Sequence, residues 1–110
     1  MVDPQIFSDQ KTDFGLIQYE AEQSRMIVRT PSFDFDTFPI LGETLLGLLS
    51  ANAIEKQSDA DLHSWLIDFE GCQLFLRAEH YSECVWFEAV ASGDAREELD
   101  FLASLFLRGF

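Results

Sequence analysis

Apolar and polar residues alternate along three consecutive stretches in the middle of this chain, Leu62–Glu70, Cys72–Glu79 and Cys84–Val90. A period of two marks strands that bury one face. Glu70-Gly71 supplies a tight reversal between the first two, because glycine takes a positive φ at little steric cost. That register sets Phe69 opposite Cys72, Ile67 opposite Leu74 and Trp65 opposite Leu76. A turn through Tyr81-Ser82 pairs Ala78 with Val85, Leu76 with Phe87 and Leu74 with Ala89. Ala53–Gln57 reads as a further strand, and a turn at Ser58–Asp61 sets Ile54 beside Trp65. All of these residues share one face, as a half-buried antiparallel meander requires.

Two more strands precede the meander, Phe14–Tyr19 and Met26–Thr30, rich in aromatic and β-branched residues. A hairpin through Ala21–Ser24 places Tyr19 opposite Met26, Ile17 opposite Val28 and Glu20 beside Arg25. Pro31 offers no N–H to a ladder and ends the second strand. Asp36 then suits an N-cap, with Pro39 in the first turn and Phe38, Leu41, Leu45, Leu48 and Leu49 at helical spacing. Gly42 and Gly47 each cost this helix about 1 kcal/mol relative to Ala, so close packing on a sheet is expected to offset them. The last element, Asp94–Leu107, is amphipathic. Asp94, Glu97 and Glu98 lie in its first turn, Ala95, Leu99, Leu102 and Phe106 form its stripe, and Phe101 and Leu105 broaden it. Arg108 and Gly109 suit its end. The pattern predicts an α+β fold of order ββ-α-ββββ-α, an antiparallel sheet of about five to six strands with two helices on one face.

The opposite face of that sheet is the informative one. The same registers turn Leu66, Asp68, Gln73, Phe75, Arg77, Cys84, Trp86 and Glu88 away from the helices, pairing Leu66 with Phe75 and Arg77 with Trp86. An apolar cluster on an open sheet marks an interface, and Trp and Arg are favoured anchors there. Leu66, Phe75, Arg77 and Trp86 are therefore the candidate interface residues. Residues 1–12 or another loop folding over the patch, a helix covering it, self-association, and a different partner or ligand all stay open, as does a cation–π contact of Arg77 on Trp86.

With 110 residues the chain fits one domain, 1–110, with residues 1–12 as a loose N-terminal arm. Its 47% hydrophobic content and eleven Phe exclude disorder. Twenty acidic residues against seven basic ones give a formal charge of −13, which repels phosphates and anionic headgroups. Nucleic acid and membrane surfaces are thus poor partners, and a basic protein is a natural one. No basic n-region or apolar h-region opens the chain, no apolar run approaches the roughly 20 residues of a membrane span, and a reducing cytoplasm suits two thiols outside any CxxC pattern.

Candidate chemistry is sparse. Cys72 and Cys84 point to opposite faces, which disfavours a disulfide; Cys84 faces the open side. Glu70, Glu79, His80 and Glu83 fall at turns where carboxylates are solvated, and Asp68 and Glu88 face the open side from strands with another between them. His63 completes the titratable set. No spacing such as HExxH makes His80, Glu83 and Cys84 a metal site, and no glycine-rich loop opens a helix after a strand. No catalytic, cofactor or metal residue is therefore assigned.

Trp65-Leu-Ile-Asp-Phe-Glu-Gly71, followed by Glu79-His-Tyr-Ser-Glu-Cys-Val-Trp-Phe-Glu88, resembles the bacterial domain-of-unknown-function family numbered 3630. The resemblance runs from about Phe14 onward; it implies a bacterial cytosolic protein and transfers no functional residue. The leading functional expectation is a non-enzymatic acidic module that forms a homodimer through the open face. The alternatives are an immunity- or antitoxin-like factor, or a nucleic-acid mimic, binding a basic protein, and a small-molecule binder or enzyme with a cleft.

Overall fold

The computed structural model describes residues 13–91 and 94–109. Strands β1 (Gly15–Glu20) and β2 (Arg25–Arg29) are followed by helix α1 (Phe38–Leu49). Strands β3 (Asn52–Asp59), β4 (Leu62–Phe69), β5 (Cys72–Glu79) and β6 (Cys84–Ala89) come next, and helix α2 (Arg96–Arg108) ends the order ββ-α-ββββ-α of an α+β fold. The expected N-terminal arm lies outside the described residues. All pairings are antiparallel, and the spatial order is β1-β2-β6-β5-β4-β3. The N-terminal hairpin thus joins the meander through β2 and β6, with Met26 opposite Phe87 and Val28 opposite Val85.

The central registers agree with the reading from alternation. Glu70 and Gly71 both take positive φ, 52° and 83°, and pair Phe69 with Cys72, Ile67 with Leu74 and Trp65 with Leu76. Across β5 and β6, Leu74, Leu76 and Ala78 face Ala89, Phe87 and Val85. The turn between these strands is held by Glu79, whose carboxylate accepts from the Tyr81 and Ser82 N–H groups and the Ser82 hydroxyl at 2.6, 3.2 and 2.7 Å. Those bonds, the Ser82 hydroxyl first, hold its pKa below the usual carboxylate range.

Both edge strands depart from the expected register, each at an isoleucine. A bulge between Leu16 and Gln18 makes Leu16, not Ile17, the partner of Val28. The β3–β4 turn is tighter than expected, with Asp59 opposite Leu62, which makes Lys56, not Ile54, the partner of Trp65. A second bulge between Ala53 and Glu55 leaves Ile54 unpaired. Ile17 and Ile54 are left 62% and 51% exposed. A bulge inserts one unpaired residue, which no period-two count anticipates.

The core is built on one face of the sheet, and buried residues of both helices belong to its single cluster. From α1 come Phe38, Leu45, Leu46 and Leu49; the expected Leu41 and Leu48 are only partly buried and flank the cluster. Gly42 lets this helix approach Trp65, since a Cβ there would stand 2.6 Å from the indole ring. Gly47 meets nothing within 4 Å, so close packing explains only one of the two glycines. The start of α1 also differs from expectation: Thr37, not Asp36, is the N-cap. Asp34 and Thr37 exchange bonds, each backbone N–H donating to the other's side chain at 2.8 Å. This reciprocal closure leaves Asp36 no capping role and lowers the Asp34 pKa.

Helix α2 begins at Arg96, with Ala95 left-handed before it at φ 61°, so Asp94 and Ala95 lie outside the helix. Leu99, Leu102, Ala103 and Phe106 are buried, while Phe101 is exposed and stacks on Phe69 with ring centroids 6.1 Å apart. The Tyr19 hydroxyl donates to Asp100 and ties β1 to this helix. Burial first, and Asp100 second, push the phenol up to about 12. The same bond lowers Asp100.

The two glycines of α1 predict opposite outcomes for one substitution. Gly42→Ala overpacks Trp65 and is expected to cost about 1–3 kcal/mol, whereas Gly47→Ala gains up to about 1 kcal/mol of helix propensity; urea midpoints measure both. Asp34, Glu79 and Asp100 all have folded pKa values below their unfolded ones. Their stabilisation is present above the unfolded pKa and is lost as pH falls through the folded one. The urea midpoint is therefore expected to drop below about pH 4, and Glu79→Gln to make that drop shallower.

Candidate functional site

Strand order decides what the second face of the sheet presents. Cross-strand registers place two rows of side chains there. One row runs Ile27, Trp86, Arg77, Ser64, Gln57, and its neighbour runs Arg25, Glu88, Phe75, Leu66, Glu55. Leu66, Phe75, Arg77 and Trp86 are each half-buried on this face, with Leu66 opposite Phe75 and Arg77 opposite Trp86. Trp65 lies on the other face and is 1% exposed. Four apolar side chains (Ile27, Leu66, Phe75 and Trp86) thus form a band across β2, β6, β5 and β4.

Polar groups hold this band in place. The Trp86 Nε1–H donates to Glu88 Oε1 at 2.7 Å, and Arg77 Nη1 lies 3.3 Å from the same oxygen. The Arg77 guanidinium stacks over Phe75, its Cζ 4.5 Å from the ring centroid. The expected cation–π contact on Trp86 is therefore replaced: Glu88 draws the guanidinium along its own row's side, where Phe75 is the ring beneath it. Arg77 Nε is buried and has no hydrogen-bond partner among the described residues. On β2, Arg25 Nε donates to Glu20 at 2.6 Å. Both arginines of this face are consequently paired within it, and Glu55 accepts from the neutral Gln57.

Beside Arg77 the face is concave. A cleft of about 270 Å³ is lined by Glu55, Gln57, Ser64, Leu66, Phe75 and Arg77. Leu66 and Phe75 supply apolar surface, and the outer strand supplies Glu55 and Gln57, whose side chains bond to each other at 2.8 Å. A shallower hollow of about 180 Å³ lies beside Trp86, between Arg25, Ile27 and Cys84. Glu55, Gln57 and Ser64 were not among the candidates from sequence. Their alternation with Lys56 and Trp65 was the available signal, and their polar side chains hid it.

The remaining candidates separate. Glu70 and His80 sit at opposite ends of β5, and Asp68 and Glu88 are divided by that strand. His63 is 3% exposed and structural: its Nε2–H donates to the Phe35 carbonyl at 2.9 Å, so Nδ1 accepts from the Ser58 hydroxyl at 2.8 Å. Its ring stacks between Phe35 and Phe38 at 4.3 and 5.0 Å, pinning the loop before α1 to the sheet. Burial pushes both thiols up, Cys84 and Cys72 alike, which reduces the thiolate on which reactivity depends. Among the described residues no three of His, Cys, Asp or Glu converge as metal ligands. No helix there is long and apolar enough to cross a membrane.

Glu88 is the hinge of the band, and Glu88→Ala tests it. Loss of two bonds to one half-buried carboxylate is expected to cost about 1 kcal/mol. The indole of Trp86 should lose its fixed orientation, read as a weakened near-ultraviolet circular dichroism signal; an unchanged signal would show that apolar packing alone fixes the ring.

Compared with curated proteins and with solved structures, the chain matches none. A family model described as protein of unknown function (DUF3630) matches residues 14–107, which spans every strand and almost all of both helices. The chain therefore belongs to the DUF3630 family.

Proposed function

We propose that this protein is a non-enzymatic interaction module whose open sheet face binds a second copy of the same chain. The observation that carries the reading is the composition of that face. The chain's formal charge is −13 with only seven basic residues, yet two of these, Arg25 and Arg77, lie here and are paired with Glu20 and Glu88. Two copies meeting elsewhere bring acidic surfaces together. Meeting here, they bring together an apolar band and two arginines whose charge is already offset by Glu20 and Glu88.

Size supports the same partner. Six strands about 4.8 Å apart, each some six residues long at about 3.3 Å per residue, present roughly 600 Å² per copy. Stable specific interfaces begin near 1,200 Å² in total. The face comes close to that bound when an isologous contact uses most of it. Both edges of the sheet carry bulges, and Lys56 stands on β3, features that discourage strand-to-strand pairing. A micromolar dimer through the face is the expected strength, since area near the lower bound leaves little surplus over the cost of association. A cytoplasmic setting belongs to this proposal; two unpaired thiols suit it.

Salt separates self-association from capture of a basic protein. Raising it from about 50 mM to about 500 mM shortens the screening length well below about 10 Å. A dimer opposed by net charge is then expected to tighten, whereas an acidic surface holding a basic partner releases it. Sedimentation across that range, with Trp86→Glu as the monomeric control, is the measurement. A wild-type chain that stays monomeric at all salts, or a folded Trp86→Glu variant of unchanged mass, overturns the proposal.

A further inference from the structure

The proposed self-association leaves open how the two faces are set against each other, and the cleft beside Arg77 answers it. We infer that Trp86 of each copy packs into the Glu55–Ser64–Leu66–Phe75–Arg77 cleft of the other. This inference rests on the reading of the face as a self-contact.

Strand order places the middle of the sheet at the boundary between β6 and β5. Trp86 stands on β6 on one side of that line, and the cleft lies over β5, β4 and β3 on the other. A two-fold axis running along the strands above β5, half a strand from that line, folds each cross-strand row onto its own copy and exchanges β6 with β4 and β2 with β3. Trp86 then meets Ser64 of the second chain, beside Arg77, and Arg25 meets Glu55, because these pairs share rows. The same axis keeps five of the six strands of each face in the overlap, and it matches the aligned packing of twisted sheets. Any isologous contact repeats itself, so both clefts are filled by one operation.

Size and chemistry agree with this occupant. About 270 Å³ lies just under the roughly 300–1,000 Å³ of pockets that enclose drug-sized ligands. One large side chain from a partner is a better match. An indole needs an acceptor for its N–H when it is buried, and the cleft offers Glu55, Gln57 and Ser64 in place of Glu88. Leu66 and Phe75 give it apolar contact, and Arg77 gives its ring a cationic neighbour.

The test is an exchange of knob and hole. Ser64→Trp plugs the cleft from within while leaving Trp86 intact; Trp86→Ala removes the knob while leaving the cleft open. Each variant alone is expected to weaken the dimer at least tenfold in sedimentation, with far-ultraviolet circular dichroism showing an intact fold. Mixed in equal amounts they should form a dimer of one chain each, seen as the mixed mass in native mass spectrometry. In that pair one cleft receives Trp86, and the plugged cleft faces Ala. Gln57→Trp, on the exposed strand β3, replaces Ser64→Trp if the latter does not fold. A plugged variant that dimerises like the wild type, or a mixture without mixed dimer, overturns the inference while a dimeric wild type leaves the broader reading standing. A monomeric wild type overturns both.

Discussion

Everything on either side of the sheet follows from the pairing of β4 with β5. The reversal at Glu70 and Gly71, both of positive φ, sets that pairing. A slip of one residue would send Trp65, Ile67, Leu74 and Leu76 to the solvent side and bring Leu66, Phe75 and Arg77 under the helices. Glycine takes its share of the turn without strain; Glu70 takes φ 52° at a cost that the buried pairs repay. The second reversal, before β6, is held by a single carboxylate, Glu79, through three hydrogen bonds. With both turns set, Trp65 and Trp86 must lie on opposite sides.

That separation was readable because alternation over three eight- or six-residue strands leaves only one register that buries the apolar set. The edges were harder. At Ile17 and Ile54 the chain inserts an extra residue, and β-branched residues in a strand pattern give no hint that one of them is unpaired. The helix cap failed for a related reason: Asp36 has the right chemistry, but Asp34 and Thr37 can satisfy each other, and that reciprocity depends on loop geometry. Leu46 was passed over in favour of Leu41 and Leu48 because spacing alone does not say which flank of the helix faces the sheet.

The open face was half legible. Leu66, Phe75, Arg77 and Trp86 followed from register within the meander. Arg25, Ile27 and Glu20 joined them only through the pairing of β2 with β6, a contact between residues about sixty positions apart that no local pattern encodes. The cleft needed β3 as well, and its polar Glu55 and Gln57 look like solvent decoration until Ser64 and Arg77 stand beside them. Where the guanidinium of Arg77 lies was decided by Glu88, which claims it from the Trp86 side.

The bulged margins of the sheet have a consequence for how large an assembly of this chain can grow. Hydrogen-bonded extension along the sheet has no natural stopping point, since every added strand exposes another like it. Ile17 and Ile54 interrupt the ladder at both margins. Under the proposed face-to-face contact, a chain that joins only broadside would use up its adhesive surface in one encounter, so growth would end at two with no ladder left to propagate a fibre.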